Sequence, residues 1–119
     1  MKILIVDDSR AMRMIVRRHV EAARLPDLEI IEAGNGLEAL DVVRANQPDL
    51  VFSDWNMPEM NGMDLLQALR AEGNQVRFGF VTSESQPHMK EKALDAGALF
   101  LIAKPFTADD FQAIIARVI

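Results

Sequence analysis

Five polar residues stand where short apolar runs of the sequence end: Asp7, Asp8, Asp54, Thr82 and Lys104. Three carboxylates held within ~5 Å of one another would repel by a few kcal/mol per pair at an effective dielectric of ~20, so the three aspartates would need a cation or shared protons. Their oxygens are hard ligands, which suit Mg²⁺ rather than zinc. Together with the ammonium and hydroxyl groups, such a metal site offers what the oxygens of a phosphoryl group require.

Asp54 is the candidate nucleophile of this group, because a carboxylate can attack phosphorus and form an aspartyl phosphate. A single carboxylate after the run Leu50–Ser53 could equally cap the next helix or bind a turn amide, and the sequence around it leaves that alternative open. No His or Cys follows an apolar run, and neither GxxxxGK[ST] nor GxGxxG occurs. Nucleophilic triads and a nucleotide-binding loop are therefore not supported.

The apolar runs predict the strands that position these groups. Each run is short and bounded by turn residues, as buried strands are, and there are five: Ile3–Val6, Glu29–Ala33, Leu50–Ser53, Val76–Val81 and Leu99–Ala103. A helical pattern follows each run. This alternation indicates an α/β fold with a parallel sheet, right-handed crossovers and helices on both faces. Because parallel strands end at one edge of a sheet, the polar residues are expected to converge there.

Capping residues predict where the helices begin. Ser9 is the expected cap of the first helix, and Ser85 that of the fourth, which has Pro87 in its first turn. Thr107 and Asp110 resemble a capping box before the fifth helix. The other expected boundaries are Pro26 after the first helix, Asn46 at the end of the second, Gly62 and Gly73 around the third, and Gly97 after the fourth.

The first helix has an apolar side and a basic side. Helical spacing groups Met12, Ile15, Val16, His19, Val20 and Ala23 on one face, and Arg10, Arg13, Arg17 and Arg24 opposite. His19 is expected to be a partly buried histidine at the edge of the apolar face, because no partner ligand is near in sequence. The arginines are interpreted as a solvated face, and docking of an acidic partner is the alternative.

Gly79 is unusual because it lies inside the fourth predicted strand. Glycine weakens a strand interior and leaves space on one face of the sheet. The flanking Phe78 and Phe80 are expected to fill that space.

Length and composition indicate a single cytoplasmic domain over residues 1–119. Half of the 119 residues are apolar, which suffices for one core, and no linker or repeat is visible. The net charge of −5 does not favour a nucleic-acid-binding face. There is no cysteine for disulfides or thiolate metal sites. No apolar run approaches the ~20 residues that span a bilayer, so neither membrane nor nucleic acid is an expected partner.

Motifs at four strand ends resemble the receiver domains of bacterial two-component response regulators, the CheY-like family. They are Val6-Asp7-Asp8-Ser9, the stretch from Ser53 to Gly62 (SDWNMPEMNG), Val81-Thr82 and Lys104-Pro105-Phe106. The resemblance covers the whole chain. It implies the flavodoxin-like (βα)5 fold, a doubly wound five-stranded parallel sheet with strand order 2-1-3-4-5.

The resemblance also implies a role for each site residue. Asp54 matches the phosphoacceptor, and Mg²⁺ would be bound directly by Asp8, through water by Asp7, and by the backbone carbonyl of Asn56. Thr82 matches the switch hydroxyl that follows the phosphoryl group. Lys104 matches the lysine that contacts this group, and its bond to Pro105 resembles the family's cis peptide.

As function, the resemblance implies a phosphorylation-activated switch, with chemotaxis as one pathway. A sensor histidine kinase or a phosphotransfer protein would supply the phosphoryl group, and an unidentified protein would bind the face formed by the fourth helix, fifth strand and fifth helix. Self-phosphorylation and autodephosphorylation would be the only catalysis. One alternative is a phosphate sink or phosphorelay intermediate. Another is an aspartyl-phosphate phosphatase, although Asn56 stands where such enzymes have a second aspartate.

Two features of the sequence depart from the family pattern. Leu101 replaces the usual Tyr or Phe three residues before the lysine, which puts an aromatic switch at this position in doubt. The start of the fourth helix, Gln86-Pro87-His88-Met89, differs from that of motor-binding relatives and does not favour a flagellar-motor partner.

Overall fold

The computed structural model describes residues 1–84 and 86–119, which form five strands alternating with five helices. The strands are β1 (Lys2–Val6), β2 (Glu29–Ala33), β3 (Leu50–Ser53), β4 (Arg77–Thr82) and β5 (Phe100–Ala103). The helices are α1 (Arg10–Ala22), α2 (Gly36–Asn46), α3 (Gly62–Ala71), α4 (Pro87–Asp95) and α5 (Ala108–Val118). All strand pairs are parallel, in the order β2-β1-β3-β4-β5. The predicted fold class and strand order are confirmed.

The core consists of two apolar layers, one on each face of the sheet. Along β1, Leu4 and Val6 point into the layer shared with α2 and α3, whereas Ile3 and Ile5 point into the layer shared with α1 and α5. All four side chains are at most 1% exposed. Burial on both faces explains why the central strands read as continuous apolar runs.

The predicted element boundaries hold to within a few residues. β4 begins at Arg77 rather than Val76, and β5 at Phe100 rather than Leu99. Ser9 caps α1, and Thr107 and Asp110 form the expected capping box of α5. The cap predicted at Ser85 lies outside the described residues.

The apolar face of α1 is narrower than its sequence pattern indicates. Val16 and Val20 are buried, but Ile15 is 40% exposed, because the packed face is centred on the two valines. His19 is half-buried as predicted, with its ring 5.3 Å from that of Phe111 and 5.2 Å from that of Phe106. The histidine therefore belongs to the contact between α1 and α5.

The basic face of α1 is only partly a solvated face. The side chains of Arg13 and Arg17 each lie 3.0 Å from a carboxylate oxygen of Glu32 on β2. Arg10 is exposed, as the solvated-face interpretation predicts. Arg13 and Arg17 of the basic face thus form ion pairs within the protein.

The expectation that Phe78 and Phe80 fill the space at Gly79 is wrong. Side chains alternate along a strand, so both flanking rings point into the opposite layer of the core. The space is taken by Phe100 of the neighbouring strand β5, which pairs with Gly79 in register. A Cβ atom at position 79 would overlap the far end of that ring, so glycine is required for close packing.

Candidate functional site

The carboxyl edge of the sheet brings together the acidic and basic residues that the sequence singled out. One carboxylate oxygen from each of Asp7, Asp8 and Asp54 lies within 4.8 Å of the others. Lys104, after β5, places its Nζ 3.1 Å from Asp7 Oδ2 and 3.4 Å from Asp54 Oδ2. Strands distant in sequence thus contribute to one site, because their carboxyl ends share an edge.

Asp7 is the most buried carboxylate of the cluster, at 3% exposure. Its Oδ1 accepts a hydrogen bond from the Ser9 N–H at 2.9 Å, and its Oδ2 accepts one from Lys104. Burial raises the pKa of the Asp7 carboxyl, although the Ser9 N–H and the Lys104 ammonium act in the opposite direction. A further cation at the site would favour the charged form of this group.

Asp8 presents the most accessible carboxylate of the three, and it is exposed. Among the described residues, no donor forms a hydrogen bond with its carboxylate oxygens. A carboxylate with free lone pairs beside two others is suited to direct coordination of a hard cation.

The two oxygens of Asp54 have different surroundings. Oδ1 accepts a hydrogen bond from the Trp55 N–H at 2.7 Å, so the alternative of a turn-amide contact is realised on this oxygen. Oδ2 faces Lys104. The side chain is 13% exposed, which leaves it reachable from solvent. One contact thus orients the carboxylate while the group stays open to a reaction partner.

Hydrogen bonds link Thr82, Asn56 and Glu84 at the carboxyl ends of β3 and β4. Thr82 is the last residue of β4 and is fully buried; its Oγ1 accepts a hydrogen bond from the Glu84 N–H at 3.2 Å. Asn56 Nδ2 donates to Glu84 Oε1 at 2.9 Å and so links the loops after β3 and β4. Sequence reasoning missed the contact of Glu84 with Asn56, for which the only signal was the position of Glu84 two residues after Thr82.

The loop after β3 is held by two glycines that the sequence indicated only as turn or helix-start residues. The Gly62 N–H donates to the Trp55 carbonyl at 2.8 Å, and the Gly36 N–H to the Met60 carbonyl at 3.0 Å. A Cβ atom on Gly62 would overlap the carbonyl oxygen of Asp54. The loop therefore lies directly on the backbone of the candidate nucleophile.

Leu101 lies on β5 in register with Phe80, half-buried against the core layer that contains Trp55. Its side chain also borders a hollow of about 370 Å³ between α4 and α5. The position connects the core beside the site with the outer face of the domain.

The donor set of the site fits Mg²⁺. It consists of carboxylate oxygens, with no nitrogen or sulfur ligand among the described residues of the cluster, and such oxygens are the ligands that Mg²⁺ prefers. Asp7, Asp8 and Asp54 would hold the ion, and the Asn56 carbonyl is the candidate fourth protein ligand.

No helix in the described ranges 1–84 and 86–119 is long and apolar enough to cross a membrane.

Trp55 should report Mg²⁺ binding through its fluorescence. Its backbone N–H donates a hydrogen bond to Asp54 Oδ1. The residue is 5% exposed, and its ring stacks on that of Phe80 with the ring centroids 4.7 Å apart. We expect Asp8→Ala to weaken Mg²⁺ binding by about tenfold or more, because it removes the most accessible ligand. Titration of the wild type and the variant with Mg²⁺ measures this. Equal affinities would remove Asp8 from the metal site.

Comparison with known proteins agrees with this geometry. Residues 3–116 match the family model described as the response regulator receiver domain. The chemotaxis protein CheY1 of Helicobacter pylori is 39% identical over 110 residues, covering 90% of this chain and 87% of that protein. The sporulation initiation phosphotransferase F of Bacillus subtilis is 33% identical over 111 residues, covering 93% and 87%.

A solved structure agrees equally well. Vibrio cholerae chemotaxis protein CheY4 superposes with a TM-score of 0.86 at 30% identity, covering 99% of this chain and 98% of that one. Family model, relatives and fold all span nearly the whole chain and agree with the resemblance inferred from the four motifs. The chain therefore belongs to the family of response regulator receiver domains.

Proposed function

We propose that the protein is a cytoplasmic signalling switch in which Asp54 accepts a phosphoryl group from a histidine kinase or a phosphotransfer protein. The observation that carries the proposal is Asp54, reachable from solvent, beside Lys104 and two further carboxylates. A carboxylate in this setting can act as a nucleophile while cationic groups neutralise the transferring oxygens.

The chain's own residues would divide the work of the transfer. The Trp55 N–H orients the Asp54 carboxylate, from which an oxygen lone pair forms the new P–O bond as the bond to the donor imidazole or acetate breaks. Lys104 Nζ, 3.4 Å from Asp54 Oδ2, would contact the transferred group. Mg²⁺ bound at Asp7 and Asp8 would supply charge neutralisation and alignment. Hydrolysis of the acyl phosphate would return the protein to its resting state.

The output surface is proposed to be the face formed by α4, β5 and α5. Leu94 and Leu99 are each 44% exposed on it, beside the hollow bordered by Leu101 and flanked by Lys90 and Arg117. Apolar side chains with a charged rim are typical of protein-binding surfaces. The unidentified output partner would bind here.

A phosphate sink or phosphorelay intermediate is the second candidate, favoured by the similarity to a sporulation phosphotransferase. It shares the chemistry of the switch but needs no output partner. Capture of a partner only in the presence of beryllofluoride, a phosphoryl mimic, would separate the two. A phosphatase acting on phosphate esters is disfavoured, because Asn56 lacks the carboxylate that would serve as its acid.

Acetyl phosphate tests the proposal directly. With Mg²⁺ the protein should gain the mass of one phosphoryl group on the peptide that contains Asp54, and a chelator should prevent the gain. Absence of any adduct, from acetyl phosphate and from a phosphohistidine donor, would overturn the proposal.

Thr82 rather than Leu101 should couple phosphorylation to the output face. Leucine has no ring or hydroxyl and can repack with little change in volume, whereas a hydroxyl can bond differentially to the phosphorylated state, as a switch requires. We expect Thr82→Ala to lose the response of α4 amide NMR shifts to beryllofluoride, and Leu101→Ala to keep it. A folded Leu101→Ala protein without the response, beside a responsive Thr82→Ala protein, would reverse the assignment.

A further inference from the structure

Arg13 of α1 connects the backbone of the acidic cluster to strand β2. Its Nη1 donates to the carbonyl oxygen of Asp7 at 2.6 Å. Its Nε donates to Glu32 Oε1 on β2 at 3.0 Å. The Arg13 side chain is 19% exposed, against 39% for that of Arg17. Arg13 is thus fixed at both ends of its guanidinium group.

The carbonyl that Arg13 holds belongs to the peptide unit joining Asp7 to Asp8. The Asp7 N–H is also fixed, by a 3.1 Å bond to the Ala33 carbonyl. Fixing both polar groups of the Asp7 backbone sets the plane of the next peptide and with it the position of the Asp8 Cα. The peptide after Asp8 is held as well, because the Ser9 N–H donates to Asp7 Oδ1 at 2.9 Å. With the peptides on both sides held, the direction in which the Asp8 side chain leaves the chain is restrained. Among the described residues the Asp8 carboxylate has no donor to hold it, so its placement depends on this backbone.

We propose that Arg13 is a positioning residue for the metal site: by holding the Asp7 carbonyl it aims the Asp8 carboxylate toward those of Asp7 and Asp54. The inference rests on the proposed function, because it assumes that the cluster binds Mg²⁺. Groups that orient metal ligands commonly affect affinity by about 10–100-fold.

The planar fork of arginine is required for this contact. Two N–H groups at fixed angles reach Glu32 and the Asp7 carbonyl at once, whereas the ammonium of lysine is a point donor on a flexible stem. Arg17 also binds Glu32, at 3.0 Å, but through the other carboxylate oxygen, Oε2, so the bond of Arg13 to Oε1 is a separate contact. The contact therefore joins α1, β2 and the turn after β1 into one support.

An electrostatic role and a positioning role of Arg13 predict opposite changes in the affinity for Mg²⁺, so a binding measurement can separate them. A guanidinium near the cluster repels Mg²⁺, so an electrostatic role alone would make Arg13→Gln bind Mg²⁺ more tightly and leave Arg13→Lys unchanged. A positioning role predicts weaker binding in both variants, including the one that keeps the charge.

The experiment is a Mg²⁺ titration of the full chain followed by Trp55 fluorescence, with calorimetry as a second readout. We expect Arg13→Lys and Arg13→Gln to bind Mg²⁺ about tenfold more weakly than the wild type. Arg17→Gln is the matched control, because Arg17 also pairs with Glu32 but does not touch Asp7; its affinity should stay within about twofold. Thermal unfolding of each variant shows whether it is folded during the titration.

The Mg²⁺ affinities of the variants either support or overturn the positioning role of Arg13. Weaker binding in both folded Arg13 variants, with Arg17→Gln unchanged, supports the proposal. If the Arg13 variants bind Mg²⁺ as tightly as the wild type or more tightly, while Asp8→Ala binds it more weakly, this inference is overturned and the proposed function stays intact. A wild type that shows no Mg²⁺ binding by either readout overturns both.

Discussion

Asp54→Asn is expected to abolish phosphorylation by acetyl phosphate at this position. Asparagine keeps the shape of the side chain and can still accept the Trp55 N–H bond, but its amide has no anionic oxygen to attack phosphorus. The fold should persist, because the substitution also removes one of three crowded negative charges. Mass spectrometry of the intact protein and of its peptides measures the effect.

Asp64→Asn is the control for this substitution. Asp64 is an exposed residue in the first turn of α3 and is not part of the carboxylate cluster. This variant should be labelled as the wild type is. If the asparagine variant at position 54 gained the phosphoryl mass on the same peptide, Asp54 would not be the acceptor.

Gly79→Ala should lower the free energy of unfolding by about 1 kcal/mol, the difference between a steric cost and a smaller gain in strand propensity. A strand alanine gains roughly 0.5–1 kcal/mol over glycine, but the new methyl group would overlap the Phe100 ring, and overpacking of this kind typically costs about 1–3 kcal/mol. The ring cannot move easily, since Phe100 is 2% exposed and lies 5.4 Å from the Phe52 ring. The steric effect therefore dominates. Denaturant unfolding measures it.

A double-mutant cycle identifies the cause of that loss. The atoms that the new Cβ would meet are the distal ring atoms Cζ, Cε1 and Cε2 of Phe100, and leucine lacks them. In the Phe100→Leu background Gly79→Ala should cost little or nothing, with a coupling energy of about 1–2 kcal/mol. Gly34→Ala is the control, since its Cβ would meet Glu38 at an ordinary 3.6 Å. Equal costs in both backgrounds would contradict the steric explanation.

Periodic patterns in the sequence were sufficient to predict the fold class and the convergence of Asp7, Asp54 and Lys104 at one edge of the sheet, whereas the strand order was inferred from the resemblance. Apolar runs ending in Asp7, Asp54 and Lys104 predict buried parallel strands, and parallel strands put their ends at one edge. No such pattern encodes contacts made across the sheet. The packing of Phe100 on Gly79 depends on strand register, which is not visible in either strand alone.

Contacts that side chains make with turns and loops could not be predicted from the sequence either. Arg13 reads as one member of a basic helix face, and only the three-dimensional path of the turn after β1 brings it to the Asp7 carbonyl. Glu84 lies in a loop without periodicity, and its contact with Asn56 joins two loops that are 28 residues apart. Such contacts depend on loop geometry, which short-range sequence signals do not determine.

The ion pair between Asp7 and Lys104 joins residues 97 positions apart in the sequence. This separation affects the order in which the site forms as the protein folds. During synthesis the amino-terminal strands emerge first, so the carboxylates of β1 and β3 exist before their lysine. Contacts between distant residues require closure of a long loop and slow folding. Until β5 docks beside β4, the carboxylates lack the counter-charge of Lys104, and under the proposed function a partly folded chain would not accept a phosphoryl group. The proposed phosphoryl transfer would therefore be available only to a chain that has completed its sheet.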